Sequence, residues 1–146
     1  MPTVKGCNLP DELLYDVENQ IWFKELGDGT VRLGMTAIAT AMAGKLVAFT
    51  PKGVGKDVKA GKSCATVESG KWVGPAKTAA AGQVVAVNEA VVATPSLAND
   101  DPYGNGWLIV LKPEEWDGVK ATLVPGAQVA GPYEAKMNAD GFAGCA

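Results

Sequence analysis

The chain has 146 residues with 13 Lys and Arg against 16 Asp and Glu, a net charge of −3, and 47% of it is apolar. That is enough apolar material for one domain with a packed core and excludes wholesale disorder, while the acidic balance argues against a nucleic-acid partner, whose phosphates need clustered Lys and Arg. Histidine is absent, which removes Ser-His and Cys-His nucleophile pairs, histidine metal ligands and the usual neutral-pH general base.

The N-terminal Met1-Pro2-Thr3-Val4-Lys5-Gly6 lacks the apolar core of a signal peptide, and no apolar run is long enough to cross a bilayer. The expected location is the cytoplasm, with no membrane partner. Cys7, Cys64 and Cys145 are too few and too scattered for a disulfide scaffold or a zinc site. The 18 Gly and 9 Pro predict many short strands joined by tight turns.

Residues 1–18 read as an N-terminal arm, in which Asn8 caps a short helix running toward Leu14. Asn19 to Leu26 reads as a strand, Gly27-Asp28-Gly29 as its turn and Thr30 to Gly34 as the returning strand. Thr36 caps a helix to Ala43, with Ile38, Ala41 and Met42 at helical spacing. Two similar β units follow, Gly44 to Glu68 and Val73 to Asn99, each opening on a glycine before a β-branched apolar run. Pro95-Ser96-Leu97 predicts a helical turn, Gly106 to Leu111 a strand, Pro113-Glu114-Glu115-Trp116 a helix start, and Gly131 to Asp140 a helix opening on Pro132. The domain reading is 19–116 for the main body and 117–146 for a C-terminal extension with a short helix and a cysteine-containing tail.

Between the two β units lies Glu68-Ser69-Gly70-Lys71-Trp72. A lysine at the tip of a tight turn between rigid strands is exposed, held in place and free of competing contacts. Those are the conditions for attaching a cofactor to one lysine among many. Gly70 tolerates positive φ and so lets the chain reverse beside Lys71. Glu68 reads either as a recognition element for the attaching enzyme or as an exposed strand-end acid. Trp72 reads either as a contact for a partner or as a cover for the sandwich edge.

Val67-Glu68-Ser69-Gly70-Lys71 resembles the lipoyl-bearing loop of the glycine cleavage system H protein family. Pro95-Ser96-Leu97 and Asn99-Asp100-Asp101-Pro102-Tyr103-Gly104-Asn105-Gly106-Trp107 are similar to that family's long loop and closing strand, and Val84 to Ala90 also fits. The resemblance covers about residues 19 to 116. It implies a mainly β fold: a flattened β-sandwich of the lipoyl/biotinyl barrel-sandwich hybrid type, with short peripheral helices and a C-terminal helical extension. It implies lipoate joined by an amide to Lys71 and a non-catalytic carrier, the cofactor supplying the sulfur chemistry and the protein supplying position.

The chain departs from the family pattern at Trp72, at Cys7, in the ending Gly141-Phe142-Ala143-Gly144-Cys145, and in lacking a histidine near Glu18 to Trp22. In these features it resembles the H-protein-like lipoate-binding proteins of bacterial sulfur oxidation. That resemblance implies an arm shuttling sulfur intermediates, with lipoate–protein ligase, subunits of a heterodisulfide-reductase-like complex and dihydrolipoamide dehydrogenase as partners. Glycine cleavage, with an aminomethyl group on the arm, is the alternative. An interaction module with Lys71 unmodified is a third reading, and an enzyme in its own right a fourth, weakened by the lack of any nucleophile–base pair or metal constellation. Cys7 and Cys145, as redox candidates, either pair across the termini or stay free, and a reducing compartment favours free thiols.

Overall fold

The computed structural model describes residues 3–145. A hairpin of β1 (Thr3–Val4) and β2 (Cys7–Asn8) leads into β3 (Leu14–Asp16), β4 (Ile21–Glu25) and β5 (Val31–Met35). Then come α1 (Ala37–Ala43), β6 (Leu46–Pro51), β7 (Asp57–Val58), β8 (Lys62–Ser69), β9 (Val73–Thr78) and β10 (Gly82–Val87). Two short helices, α2 (Glu89–Ala93) and α3 (Leu97–Asp100), precede β11 (Ile109–Pro113) and α4 (Trp116–Lys120). β12 (Val124–Pro125), a 3₁₀ turn over Gly126–Gln128 and α5 (Ala130–Ala139) complete the order.

Two antiparallel sheets carry the fold. The larger has seven strands in the order β12-β3-β4-β5-β11-β10-β7, the smaller three in the order β6-β8-β9. They form a mainly β sandwich with a few short helices and no closed barrel, as the resemblance implied. Residues before 19 and after 116 contribute β3 and β12 to the larger sheet.

Alternation along β4 explains why this sheet is covered on both faces. Ile21 and Phe23 point into the core shared with the smaller sheet, together with Leu33, Val67, Ala76 and Leu111. Trp22 points the other way, into a second cluster with Tyr15, Leu9, Ile38, Tyr133 and Met137. All three β4 side chains are buried. Gly34 faces Trp22 across the β4–β5 ladder, and a β-carbon there would meet the indole at 2.8 Å, so the ring lies flat on its neighbouring strand.

The helix expected after Asn8 does not form. The Tyr15 hydroxyl donates to the Pro10 carbonyl at 2.8 Å, and the Gly126 N–H donates to the Leu13 carbonyl at 2.9 Å. Leu9 and Leu13 are buried in the second cluster. The segment's polar backbone groups are taken by distant partners, and long-range packing overrides a local cap signal.

The helix over 36–43 forms as α1, with the Thr36 side chain accepting from the Ala39 N–H at 3.2 Å. A helix not foreseen in the sequence, α2, starts at Asn88, whose side-chain oxygen accepts from the Ala90 N–H at 3.1 Å. The Asn88 amide also donates to the carbonyls of Asn105 and Trp107, each at 2.7 Å. The 101–107 loop is thereby fixed against α2, and Tyr103 fixes it to α1 by accepting from the Ala37 N–H at 2.9 Å.

Candidate functional site

β8 and β9 form a ladder whose last strand pair is Glu68 opposite Val73. The Ser69 N–H then donates to the Trp72 carbonyl at 2.7 Å, leaving Gly70 and Lys71 as a two-residue loop. Ser69 is buried, and its Oγ accepts from the Lys71 N–H at 3.3 Å and donates to the Trp72 carbonyl at 3.5 Å. The serine side chain ties the reversal together.

Gly70 has a different place from the one its sequence predicts. It is not among the positive-φ glycines, and a β-carbon on it would meet nothing within 4 Å. Neither conformation nor space demands glycine there. Sequence reasoning assigned the turn to the residue with the greatest freedom, whereas the Ser69 side chain holds it.

Lys71 is exposed but not free of contacts. Its side chain lies against Gly44 at the C-cap of α1, with Cε 3.1 Å and Nζ 3.8 Å from the point a β-carbon on Gly44 would occupy. Gly44 sits at φ 84° and ψ −178°, a region essentially confined to glycine. Its N–H donates to the Thr40 carbonyl at 3.0 Å, and its carbonyl accepts from the Asn99 amide at 2.9 Å. The Asn99 amide also donates to the Thr40 carbonyl at 3.3 Å, and its oxygen accepts from the Leu46 N–H at 2.8 Å. Asn99 thus locks the end of α1 and the start of β6 where the Lys71 side chain rests. Gly44 and Asn99 are site residues that sequence reasoning missed. The positive φ of Gly44 carried a signal only as a helix-ending glycine.

A cavity of about 450 Å³ opens beside Lys71, lined by Gln20, Ile21, Met35, Met42, Trp72 and Pro75 among others. Size and apolar walls suit an acyl chain with a compact head, and an acylated lysine, having lost its charge, enters such a space at less desolvation cost than an ammonium. Gln20, at φ 60°, donates its side-chain amide to the Met42 sulfur at 3.6 Å and accepts from the Tyr133 hydroxyl at 3.0 Å. One wall is therefore held from the far side of the larger sheet.

Trp72 is 40% exposed. Its ring folds back over Gly74, where a β-carbon would come within 2.2 Å of Cζ2. It covers the edge of the smaller sheet and lines the cavity at once. Glu68 is exposed on β8, with no ion pair among the described residues. Cys64 is buried, its thiol donating to the Ala76 carbonyl at 3.4 Å, and burial pushes its pKa up to about 12, so it is inert at neutral pH. Cys7 and Cys145, expected as free thiols in a reducing compartment, are joined by a disulfide. Among the described residues no metal-ligand cluster occurs, and no helix is long and apolar enough to cross a membrane.

The profile of the Glycine cleavage H-protein family matches residues 13–135. The chain belongs to the glycine cleavage H-protein family. It is 50% identical over 134 residues to glycine cleavage system H protein 5 of Aquifex aeolicus, covering 89% of this chain and 90% of that protein. It is 40% identical to probable glycine cleavage system H protein 2 of Sulfurisphaera tokodaii, covering 89% of each. The crystal structure of a glycine cleavage system H protein from Mycobacterium marinum matches with a TM-score of 0.74 at 33% identity, over 91% of this chain and 99% of that one. Members of the H-protein family carry lipoate covalently on a lysine and have no catalytic activity of their own.

Proposed function

We propose that Lys71 is the lipoylated lysine of this H-protein family member and that the chain serves glycine cleavage as a mobile carrier. One observation carries the assignment: Lys71 stands at a two-residue hairpin tip, with its side chain laid toward an apolar cavity of about 450 Å³. Bound there, lipoate supplies the dithiol that carries an aminomethyl group between the enzymes of glycine cleavage. The protein's part is to present Lys71 on a rigid ladder, rest the arm against Gly44, and offer the cavity as a shelter from water.

Lipoate–protein ligase and dihydrolipoamide dehydrogenase are the partners this reading requires. Glu68, Gly70 and Trp72 flank the lysine, where a loading enzyme must touch the protein, and Ser69 shapes the turn that enzyme grips.

Glycine cleavage is preferred over a sulfur-oxidising role with heterodisulfide-reductase-like subunits. The relatives named above are glycine cleavage proteins. Of the departures that pointed to sulfur, Trp72 has local structural work, its ring covering Gly74.

The test is twofold. Protein purified from its own cell carries a lipoyl modification on the Lys71 turn peptide by mass spectrometry. The loaded protein then supports glycine turnover when combined with glycine decarboxylase and its two companion enzymes. A bare Lys71 in native material overturns the carrier reading; a loaded Lys71 with no glycine turnover overturns the choice of pathway.

A further inference from the structure

Cys7 and Cys145 are bonded across a sequence separation of 138 residues, with their α-carbons 5.0 Å apart. The bond differs from a buried structural staple in two respects. Cys7 is 1% exposed, whereas Cys145 is open to solvent. Both cysteines line a cleft of about 600 Å³ together with Ala37, Thr40, Asp100 and Asp101. Exposed disulfides belong to the exchangeable class more than to the structural one.

The fold on either side does not lean on the bond. β1 and β2 keep their own ladder, and Val4 is buried with Tyr133 and Met137 of α5 in the second cluster. Beyond Phe142 the tail is held by the Cys145 N–H donating to the Lys5 carbonyl at 3.0 Å and by the close seat of Gly144 on Lys5, where a β-carbon would meet that carbonyl oxygen at 2.4 Å. The Cys145 sulfur itself sits 3.9 Å from the Ala37 carbonyl at the start of α1.

We propose that Cys7–Cys145 is a thiol–disulfide exchange site that accepts electrons from an uncharged dithiol entering this cleft. One thiolate of the dithiol attacks the exposed Cys145 sulfur, the Cys7–Cys145 bond breaks, and Cys7 leaves as a thiolate and takes a proton. The second thiol of the reagent, deprotonated, attacks its own mixed-disulfide sulfur and releases Cys145. The reagent loses two electrons and closes to a cyclic disulfide, the two cysteines become thiols, and no other reactant is consumed. A dithiol is favoured because the resolving step is intramolecular. Charge selects within that class: Asp100 and Asp101 line the cleft and no Lys or Arg does, the Asp101 carboxylate accepting from the Asn105 N–H in its own loop, while the Lys5 amine is turned away to the Asn138 side-chain oxygen. An anionic thiol therefore meets like charge on approach.

The site is independent of what Lys71 carries, so the test uses the full chain unmodified at Lys71. The oxidised protein is incubated with dihydrolipoamide or with dihydrolipoate, which present the same dithiol without and with a carboxylate. It is then acid-quenched, alkylated under denaturing conditions and weighed. Untreated protein takes one label, at Cys64, and dihydrolipoamide-treated protein takes three. The rate rises in proportion to dithiol concentration, with unchanged far-ultraviolet circular dichroism. Dihydrolipoamide reacts about 3- to 10-fold faster than dihydrolipoate at low salt, and D100N or high salt narrows the gap. Three labels on untreated protein, a rate that saturates at the global unfolding rate, or equal rates for the two reagents at low salt would overturn the proposal.

Discussion

The Lys71 side chain rests on Gly44, its Cε 3.1 Å from where a β-carbon on that glycine would project. The hairpin tip and the end of α1 are thus built for each other: one supplies the lysine, the other a surface stripped of its side chain. Substituting Gly44→Ala meets two costs together. The backbone region at φ 84° is strained for any L side chain, and the added methyl presses on the lysine stem. The expected loss is about 1–3 kcal/mol by chemical denaturation, with a displaced Lys71 visible as changed side-chain NMR shifts.

At the tip itself, Lys71→Arg removes the amine proposed as the acyl acceptor. It is expected to abolish lipoylation in intact mass while leaving the melting temperature unchanged. Gly70→Ala is the contrasting variant. It is expected to fold within about 0.5 kcal/mol of the parent and still accept lipoate, because no positive φ and no close neighbour constrain that position.

Trp72 and Gly74 form a coupled pair. Gly74→Ala drives a methyl into the indole and is expected to cost about 1–3 kcal/mol. In Trp72→Ala the same change is expected to cost far less. A double-mutant cycle by urea denaturation reads this as a coupling energy well above about 0.5 kcal/mol.

Tyr133 of α5 reaches through the second cluster to the cap of α1, its hydroxyl 2.6 Å from Thr36 Oγ1 and 3.0 Å from Gln20 Oε1. Tyr133→Phe removes the hydrogen bonds to Thr36 and Gln20, leaving the Thr36 hydroxyl with the Ala39 N–H, and is expected to cost about 1–2 kcal/mol. Because Gln20 lines the cavity beside Lys71, the substitution is also expected to raise amide exchange in α1.

Alkaline stability carries a further signature. Burial raises the Cys64 thiol from 9.0 to about 12 and also raises the phenols of Tyr15, Tyr103 and Tyr133. In the unfolded chain these groups ionise first, so it binds fewer protons than the folded one in this window. Their contribution is therefore intact below about pH 9 and falls as pH rises toward 12. Stability measured from pH 8 to 11 is expected to decline, and Cys64→Ala to flatten part of that decline.

Local signals were sufficient where a segment's own chemistry closes its structure. Thr36 caps α1 from within, the Gly27-Asp28-Gly29 turn joins β4 to β5, and Pro132 lies in the first turn of α5, which opens at Ala130. The lysine-bearing hairpin was legible for the same reason, since strand runs on both sides of Ser69-Gly70-Lys71 leave a reversal as the economical connection. Local signals misled where distant partners take the hydrogen bonds. Asn8 heads no helix because Tyr15 and Gly126 claim the carbonyls that follow it.

The sequence by itself determined the strand-rich sandwich, the family resemblance and the place of Lys71 at a strand reversal, because alternation, turn residues and a short motif are properties of neighbouring residues. Tertiary structure alone decided that Gly44 and Asn99 build the seat for the lysine, that Ser69 and not Gly70 governs the turn, and that Cys7 meets Cys145. Each of these depends on which surfaces face one another after the sheets pack, and that information lies in no single segment.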